Sequence, residues 1–448
     1  MNRIFPMVLL VLGLPITAGM AMADDVPPEV KPMSGVPPSP GSQVTMKNYR
    51  DFPMSRWSFR NAGAPLNVVM IPRQGDIRVL PGPLNPEIGE RQYTDLHGRK
   101  LGFDALFQAN FADGLVIVRG GKLLHERYFH GFNAHAQHIW FSMTKSLVSS
   151  AFGLLVEQGL VDLAASPAQY IPELKNSGFA RVSIQQVLDH ATAIDFKEDY
   201  TDPAADFLRY YAPALNMAWL PGAADVQPGE TDIYGAHDFL VGFVKPDNKL
   251  KPGAAFDYNS ANADLLGWLI ARISGEPLQD FIQRAIWSRL GAEHDAYIAV
   301  DRAYMPVATG GMNSTLRDAA RFGMMIRDRG AFNGEQVVPA AWVDATLEID
   351  DQLRGMMAAN PKYGNDPWIA YHNMWWVLDD KAGEYCAVGV HGQVIYINRS
   401  ADTVMAWFSS QPGASAAGNP DFHSKLAAAR ALAQSLDAEA PGAPLPKR

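Results

Sequence analysis

Cysteine is nearly absent: Cys386 stands alone in 448 residues. No disulfide can close within one chain, so stability has to come from a buried core. Basic charge is also short. Lysine and arginine number 38 against 47 acids, a formal net charge of −9, and no dense Lys/Arg patch offsets it. That balance excludes a partner held by its phosphate backbone, so no nucleic acid is expected. The 11 histidines show neither a His-Glu-x-x-His pattern nor clustered Cys/His spacing, and no metal is expected. Glycine patterns for dinucleotides or phosphates are missing, and no cofactor is expected. A Gly-x-Ser-x-Gly elbow is missing too, which counts against an α/β-hydrolase. No internal repeat occurs.

Long apolar runs are confined to one place. Ile4 to Met20 is mostly apolar, Arg3 is the charge before it, and Ala21-Met22-Ala23 offers a small-x-small cleavage site. Residues 1–23 are therefore expected to be a signal peptide. Pro6, Gly13 and Pro15 interrupt the run, which argues against a permanent membrane helix. The expectation is a secreted or periplasmic protein with no stable membrane insertion after signal removal. Residues 24–43, rich in Pro, Ser and Gly, read as a flexible leader. With 48% apolar residues in the chain, residues 44–435 can bury a large core, and 436–448 read as a loose tail. Nothing in the pattern fixes an oligomeric state.

Leu115 to Val118, Gly120-Gly121 and Leu123 to Phe129 read as a β-hairpin closed by a glycine turn. A helix from Ser142 to Gln158 follows, apolar nearly all round and stopped by Gly159, as a buried helix should be. Further helices are predicted over Ile184–His190, Asn262–Ile273, Leu278–Leu290 and about 315–329. Asp195 to Asp257 is a long irregular stretch, of the kind that has a function or no order. Strands return at Met374–Leu378, Tyr385–Val390, Val394–Ile397 and Val404–Phe408, before a last helix over Asp421–Ser435. This order predicts one sheet built from both ends of the chain, with a mostly helical lobe, about 160–330, inserted.

Ser142 and Lys145 are three apart at the start of the buried helix, which stacks them on one face, one turn apart. Unpaired amides and the positive dipole end favour negative charge developing there. A serine hydroxyl becomes a nucleophile once its proton is removed, and a nearby amine with a burial-lowered pKa can remove it. The same two residues also suit a structural role, Ser142 as a cap and Lys145 as a solvated first-turn side chain.

Downstream stand Phe256-Asp257-Tyr258-Asn259-Ser260 and, before a strand, Gly389-Val390-His391-Gly392-Gln393. Ser142-x-x-Lys145, a Tyr-Asn-Ser element over a hundred residues later and a glycine-containing strand motif together resemble the serine β-lactamase and penicillin-recognising family. Phe141–Gly159, Glu198–Pro203, Gly310–Asp318 and Gly389–Ile397 are similar to its esterase and amidase branch, the class C-like carboxylesterases and 6-aminohexanoate-dimer (nylon oligomer) hydrolases. The resemblance implies an α/β (α+β) fold, β-lactamase/transpeptidase-like, with an antiparallel sheet flanked by helices.

It also implies roles. Ser142 would form an acyl-enzyme, with Lys145 and Tyr258 handling its proton as a coupled pair. The oxyanion would take amides of Ser142 and Gln393. This registers Val390-His391-Gly392 on the strand motif, with His391 and Gly392 against substrate; a rival register puts His391 first. No lysine stands there, and Ser260 replaces an Asn. Both departures argue against an efficient β-lactamase or D-Ala-D-Ala peptidase and for a small-molecule ester or amide substrate. A non-catalytic sensor of the same fold is the other alternative. Tyr200 and Asp202, with Asp206, would contact substrate, or else the acids are solvated or cap short helices. Trp219, Trp375 and Trp376 would wall a cleft or fill core.

Overall fold

The computed structural model describes residues 31–200, 202, 204–217 and 233–439. The expected signal peptide, the first part of the leader, Trp219 and the last residues of the tail lie outside the described residues. Residues 31–43, expected as a loose leader, are turned and tied. Met33 N donates to Ser42 O at 2.6 Å, and the buried Ser42 hydroxyl donates to Ser34 O at 2.9 Å. The Pro, Ser and Gly that suit a linker suit turns equally well.

The expected sheet is present, with seven antiparallel strands. Their spatial order is Ala370–His372, Trp375–Asp379, Glu384–Gly389, Gln393–Asn398, Thr403–Ser409, Ala112–Arg119 and Lys122–Tyr128. The two ends of the chain meet where Val404 pairs with Val118 and Ala406 with Val116. Gly120 and Gly121 supply the two positive φ angles, 56° and 73°, that close the hairpin. Gln393–Asn398 and Thr403–Ser409 are buried at every residue, as in a sheet covered on both faces. Helices Met143–Glu157 and Leu316–Arg327 pack on these strands.

A second, four-stranded sheet was not legible in advance. It runs Val68–Ile71, Ala296–Ala299, Met312–Thr315, Gln137–Ile139, strands of three or four residues in which alternation has no room to show. Its position matters, because Trp140 N donates to Met312 O at 2.8 Å and so fixes the chain just before Ser142.

The Met143–Glu157 helix is buried on nearly every side. Its serines are satisfied across the packing boundary. Ser146 Oγ donates to Met374 O at 2.8 Å and Ser149 Oγ to Asn373 O at 2.7 Å, which makes polar residues tolerable there. Beside it lies the Ala261–Ser274 helix, ended by Gly275 in the left-handed conformation. The helix expected over Leu278–Leu290 is broken: Leu278–Ala285 is helical, Ile286 departs at φ −125°, and Trp287–Arg289 is a 3-10 turn. Ala285, Ile286 and Trp287 are all buried. The irregular Asp195–Asp257 stretch holds π-helical turns at Phe207–Tyr211 and Phe239–Phe243, and a two-residue strand pair, Ile194–Asp195 with Lys245–Pro246.

Candidate active site

Ser142 precedes the Met143–Glu157 helix in αR conformation, its side chain making no capping hydrogen bond, directly after Phe141 at φ 46°. A bulky residue in the left-handed region is strained, and such strain collects at functional sites. Phe141 is held there by its carbonyl, which accepts Thr144 Oγ1 at 2.7 Å. One turn on, Lys145 sends Nζ to Ser142 Oγ at 2.8 Å and to Thr309 O at 2.9 Å. Lys145 is 1% exposed. Burial pushes its pKa down to about 8, opposed by the charges of Glu198 and Asp264. A solvated first-turn lysine is therefore excluded.

Tyr258 arrives from the loop before the Ala261–Ser274 helix and lines the smaller cavity with Ser142. Its ring stacks on Trp376 with centroids 5.4 Å apart and lies 5.2 Å from Lys145 Nζ. Burial first, then the charge of Glu198, hold its pKa well above 10, while the Ser142 contact pulls it down. Near neutral pH the phenol keeps its proton, and Lys145 is the group closer to losing one. Behind Tyr258, His190 Nδ1 accepts the Asn259 amide at 2.9 Å, and its Nε2 faces Met374 Sδ at 3.3 Å. Burial keeps that imidazole neutral, its pKa well below 6.5.

Glu198 ties the Tyr-Asn-Ser element to the loop opposite. Its carboxylate accepts Ser260 N at 2.5 Å and Ser260 Oγ at 2.9 Å, and takes the Tyr200 hydroxyl as well. Two small cavities, of about 50 and 30 Å³, meet at Ser142 and share Tyr200 and Val390. A cleft of about 1020 Å³ adjoins them and includes Glu198, Tyr200 and Tyr258.

The structure thus brings Ser142, Lys145, Tyr258 and Tyr200 together. Asp202 is placed elsewhere: it is exposed, and Oδ1 accepts Ala204 N at 2.8 Å, a turn cap. Gln393 is fully buried, with its side chain bound to Ser409 N, Ser409 O and Val390 O, and lines neither cavity at Ser142. Gly392 also faces away. A Cβ on it would meet Gln411 Oε1 at 2.0 Å, so its missing side chain serves internal packing. The expected register does not put Gln393 beside Ser142: within this motif Val390, following the last strand residue Gly389, is the residue that lines both cavities at Ser142. His391 is 3% exposed, donates Nδ1–H to Gln411 O at 2.7 Å, and reaches the wide cleft rather than Ser142. Trp376 lines the smaller cavity, while Trp375 is core, stacked on Phe322.

Sequence reasoning missed Glu198, Val390, Thr309 and Asp264. Asp264 left a signal, an acid on an otherwise apolar helix face. Thr309 acts through its backbone and leaves none.

The Beta-lactamase family model matches residues 103–430. The 6-aminohexanoate-dimer hydrolase of Paenarthrobacter ureafaciens is 29% identical over 376 residues, covering 84% of this chain and 90% of that one. Among solved structures, "Putative 6-aminohexanoate-dimer hydrolase from Bacillus anthracis" superposes with a TM-score of 0.76 at 28% identity, covering 89% of this chain and 98% of that one. A family VIII carboxylesterase shares the fold, with a TM-score of 0.52 at 17% identity over 78% of this chain and 99% of that one. This chain belongs to the Beta-lactamase family, a family of serine hydrolases.

Proposed function

We propose that the protein is an exported serine hydrolase that cleaves small esters or amides through an acyl-enzyme on Ser142. One observation carries this reading: Lys145 Nζ stands 2.8 Å from Ser142 Oγ, with the Tyr258 ring 5.2 Å from the same Nζ. The neutral amine takes the Ser142 proton as Oγ attacks the substrate carbonyl carbon. The negative oxygen that forms is met by the Ser142 and Val390 amides, Val390 replacing Gln393 as the second donor. The proton passes to the leaving alcohol or amine through the Lys145–Tyr258 pair, and the acyl-enzyme forms. Water, activated by the same pair, then releases the acid and restores Ser142. No step calls for a cofactor.

The relative from Paenarthrobacter ureafaciens, a 6-aminohexanoate-dimer hydrolase by name, supports a linear amide as one substrate class. Export rests on the sequence of residues 1–23. The test is turnover of p-nitrophenyl butyrate, a linear 6-aminohexanoate dimer and the lactam nitrocefin by the wild type and Ser142→Ala. Ester or linear amide turnover ahead of lactam, lost in Ser142→Ala, is expected. Full activity in Ser142→Ala would place the nucleophile elsewhere.

A further inference from the structure

Asp264 is an acid on the Ala261–Ser274 helix, 4% exposed and flanked by Ala263, Leu265 and Leu266. A buried carboxylate is costly unless its oxygens are bonded, and here both are. Oδ1 accepts the Thr309 amide at 3.0 Å, and Oδ2 accepts the Tyr211 hydroxyl. Thr309 is therefore held at both ends of its backbone. Its amide is on Asp264, and its carbonyl accepts Lys145 Nζ at 2.9 Å. The same Nζ reaches Ser142 Oγ at 2.8 Å. A continuous set of hydrogen bonds joins Tyr211, Asp264, Thr309, Lys145 and Ser142.

Resting on the hydrolase reading above, we infer that Asp264 is a positioning residue for Lys145, fixing the amine through Thr309 and supplying its buried counter-charge. A lysine Nζ has three donors and a flexible stem, so a carbonyl that cannot move is what aims it. Thr309 lies between two segments, and without Asp264 its amide would lose its acceptor.

The charges are consistent with this. Burial pushes Asp264 up to about 7, against its bonds from Tyr211 and Thr309 and the charge of Lys145. Asp264 in turn raises the lysine's hold on its proton, against burial. The other groups facing the pair are Glu198, Tyr258 and His190 on the Lys145 side, and Tyr211 and Asp301 on the Asp264 side.

The test is the rate of fluorophosphonate labelling of Ser142 against pH. Asp264→Asn keeps an oxygen for the Thr309 amide and removes the charge. The rise in labelling that depends on Lys145 then moves to lower pH by about one unit. Asp264→Ala drops the amide as well and lowers the high-pH plateau at least ~10-fold. Should Asp264→Asn not fold, Tyr211→Phe withdraws one hydrogen bond and favours the neutral carboxyl, so it shifts the rise in the same direction by less. A folded Asp264→Asn, or in its place Tyr211→Phe, whose profile coincides with the wild type shows a purely structural residue and overturns the inference. Labelling that is unchanged in Lys145→Ala would instead overturn the hydrolase reading itself.

Discussion

Gly389 lies against the carbonyl of Trp140, so close that a Cβ on Gly389 would stand 2.2 Å from that oxygen. Trp140 is two residues before Ser142, and Gly389 is one before Val390. The contact therefore bears on the spacing of Ser142 and Val390, the two residues whose amides are proposed to receive the oxyanion. Gly389→Ala has to push the Glu384–Gly389 strand and the Ser142 segment apart. Turnover is expected to fall on the order of 10²-fold or more, the loss seen when one oxyanion donor is displaced. Steady-state kinetics, with a thermal melt to confirm folding, check it.

Lys145 gives the enzyme a pH dependence with a definite sign. The amine works as a base when neutral, and burial brings its pKa down to about 8. Acylation should therefore rise about tenfold per pH unit up to that value and level off above it. In Lys145→Ala the rise disappears and the plateau falls by ~10²–10⁴. Stopped-flow acylation between pH 6 and 9.5 measures both.

Tyr258→Phe keeps the ring that stacks on Trp376 and removes the hydroxyl from the cavity it shares with Ser142. Stability should change little, while acylation slows on the order of 10²-fold or more. A rate within twofold of the wild type would remove Tyr258 from the proton path.

Much of this site could be read from sequence because its reacting atoms are on side chains at motif spacings. Ser142 and Lys145 are one helical turn apart, and Tyr258 precedes a helix with a clear apolar period. What could not be read acts through backbone or long-range packing. Val390 was one such case, since the choice of register turned on which glycine makes the close approach. Both glycines are crowded, but Gly392, at φ 91°, meets the Gln411 side chain, whereas Gly389 meets the backbone carbonyl of Trp140. Neither fact is present in a string of letters. Six strands of the seven-stranded sheet were legible as apolar or alternating runs; its edge strand Ala370–His372 and the four-stranded sheet were hidden by their brevity. The break at Ile286 was hidden too, since no Gly or Pro marks it in the sequence.

His190 predicts how stability responds to acid. Burial keeps it neutral in the fold, its pKa well below 6.5, whereas unfolded it titrates near ~6.5. Below that value the unfolded chain gains a proton that the native chain does not, so stability falls as pH falls. The expected slope is about 1.4 kcal/mol per pH unit for this residue. His391, pushed down to about 3 by burial first and then by the charge of Arg50, acts in the same sense. Urea unfolding at pH 7, 6 and 5 should show the loss, and His190→Gln should flatten it by one proton's worth. An unchanged slope in the variant would show that His190 is charged in the fold.

The central claim is that Ser142 is a hydroxyl made nucleophilic by Lys145, and covalent labelling tests it most directly. Purified protein treated with a fluorophosphonate should carry one adduct, located by peptide mass spectrometry on Ser142. Ser142→Ala should carry none, and Lys145→Ala should label at least ~10²-fold more slowly. An adduct on another residue, or undiminished labelling of Ser142→Ala, would contradict the account.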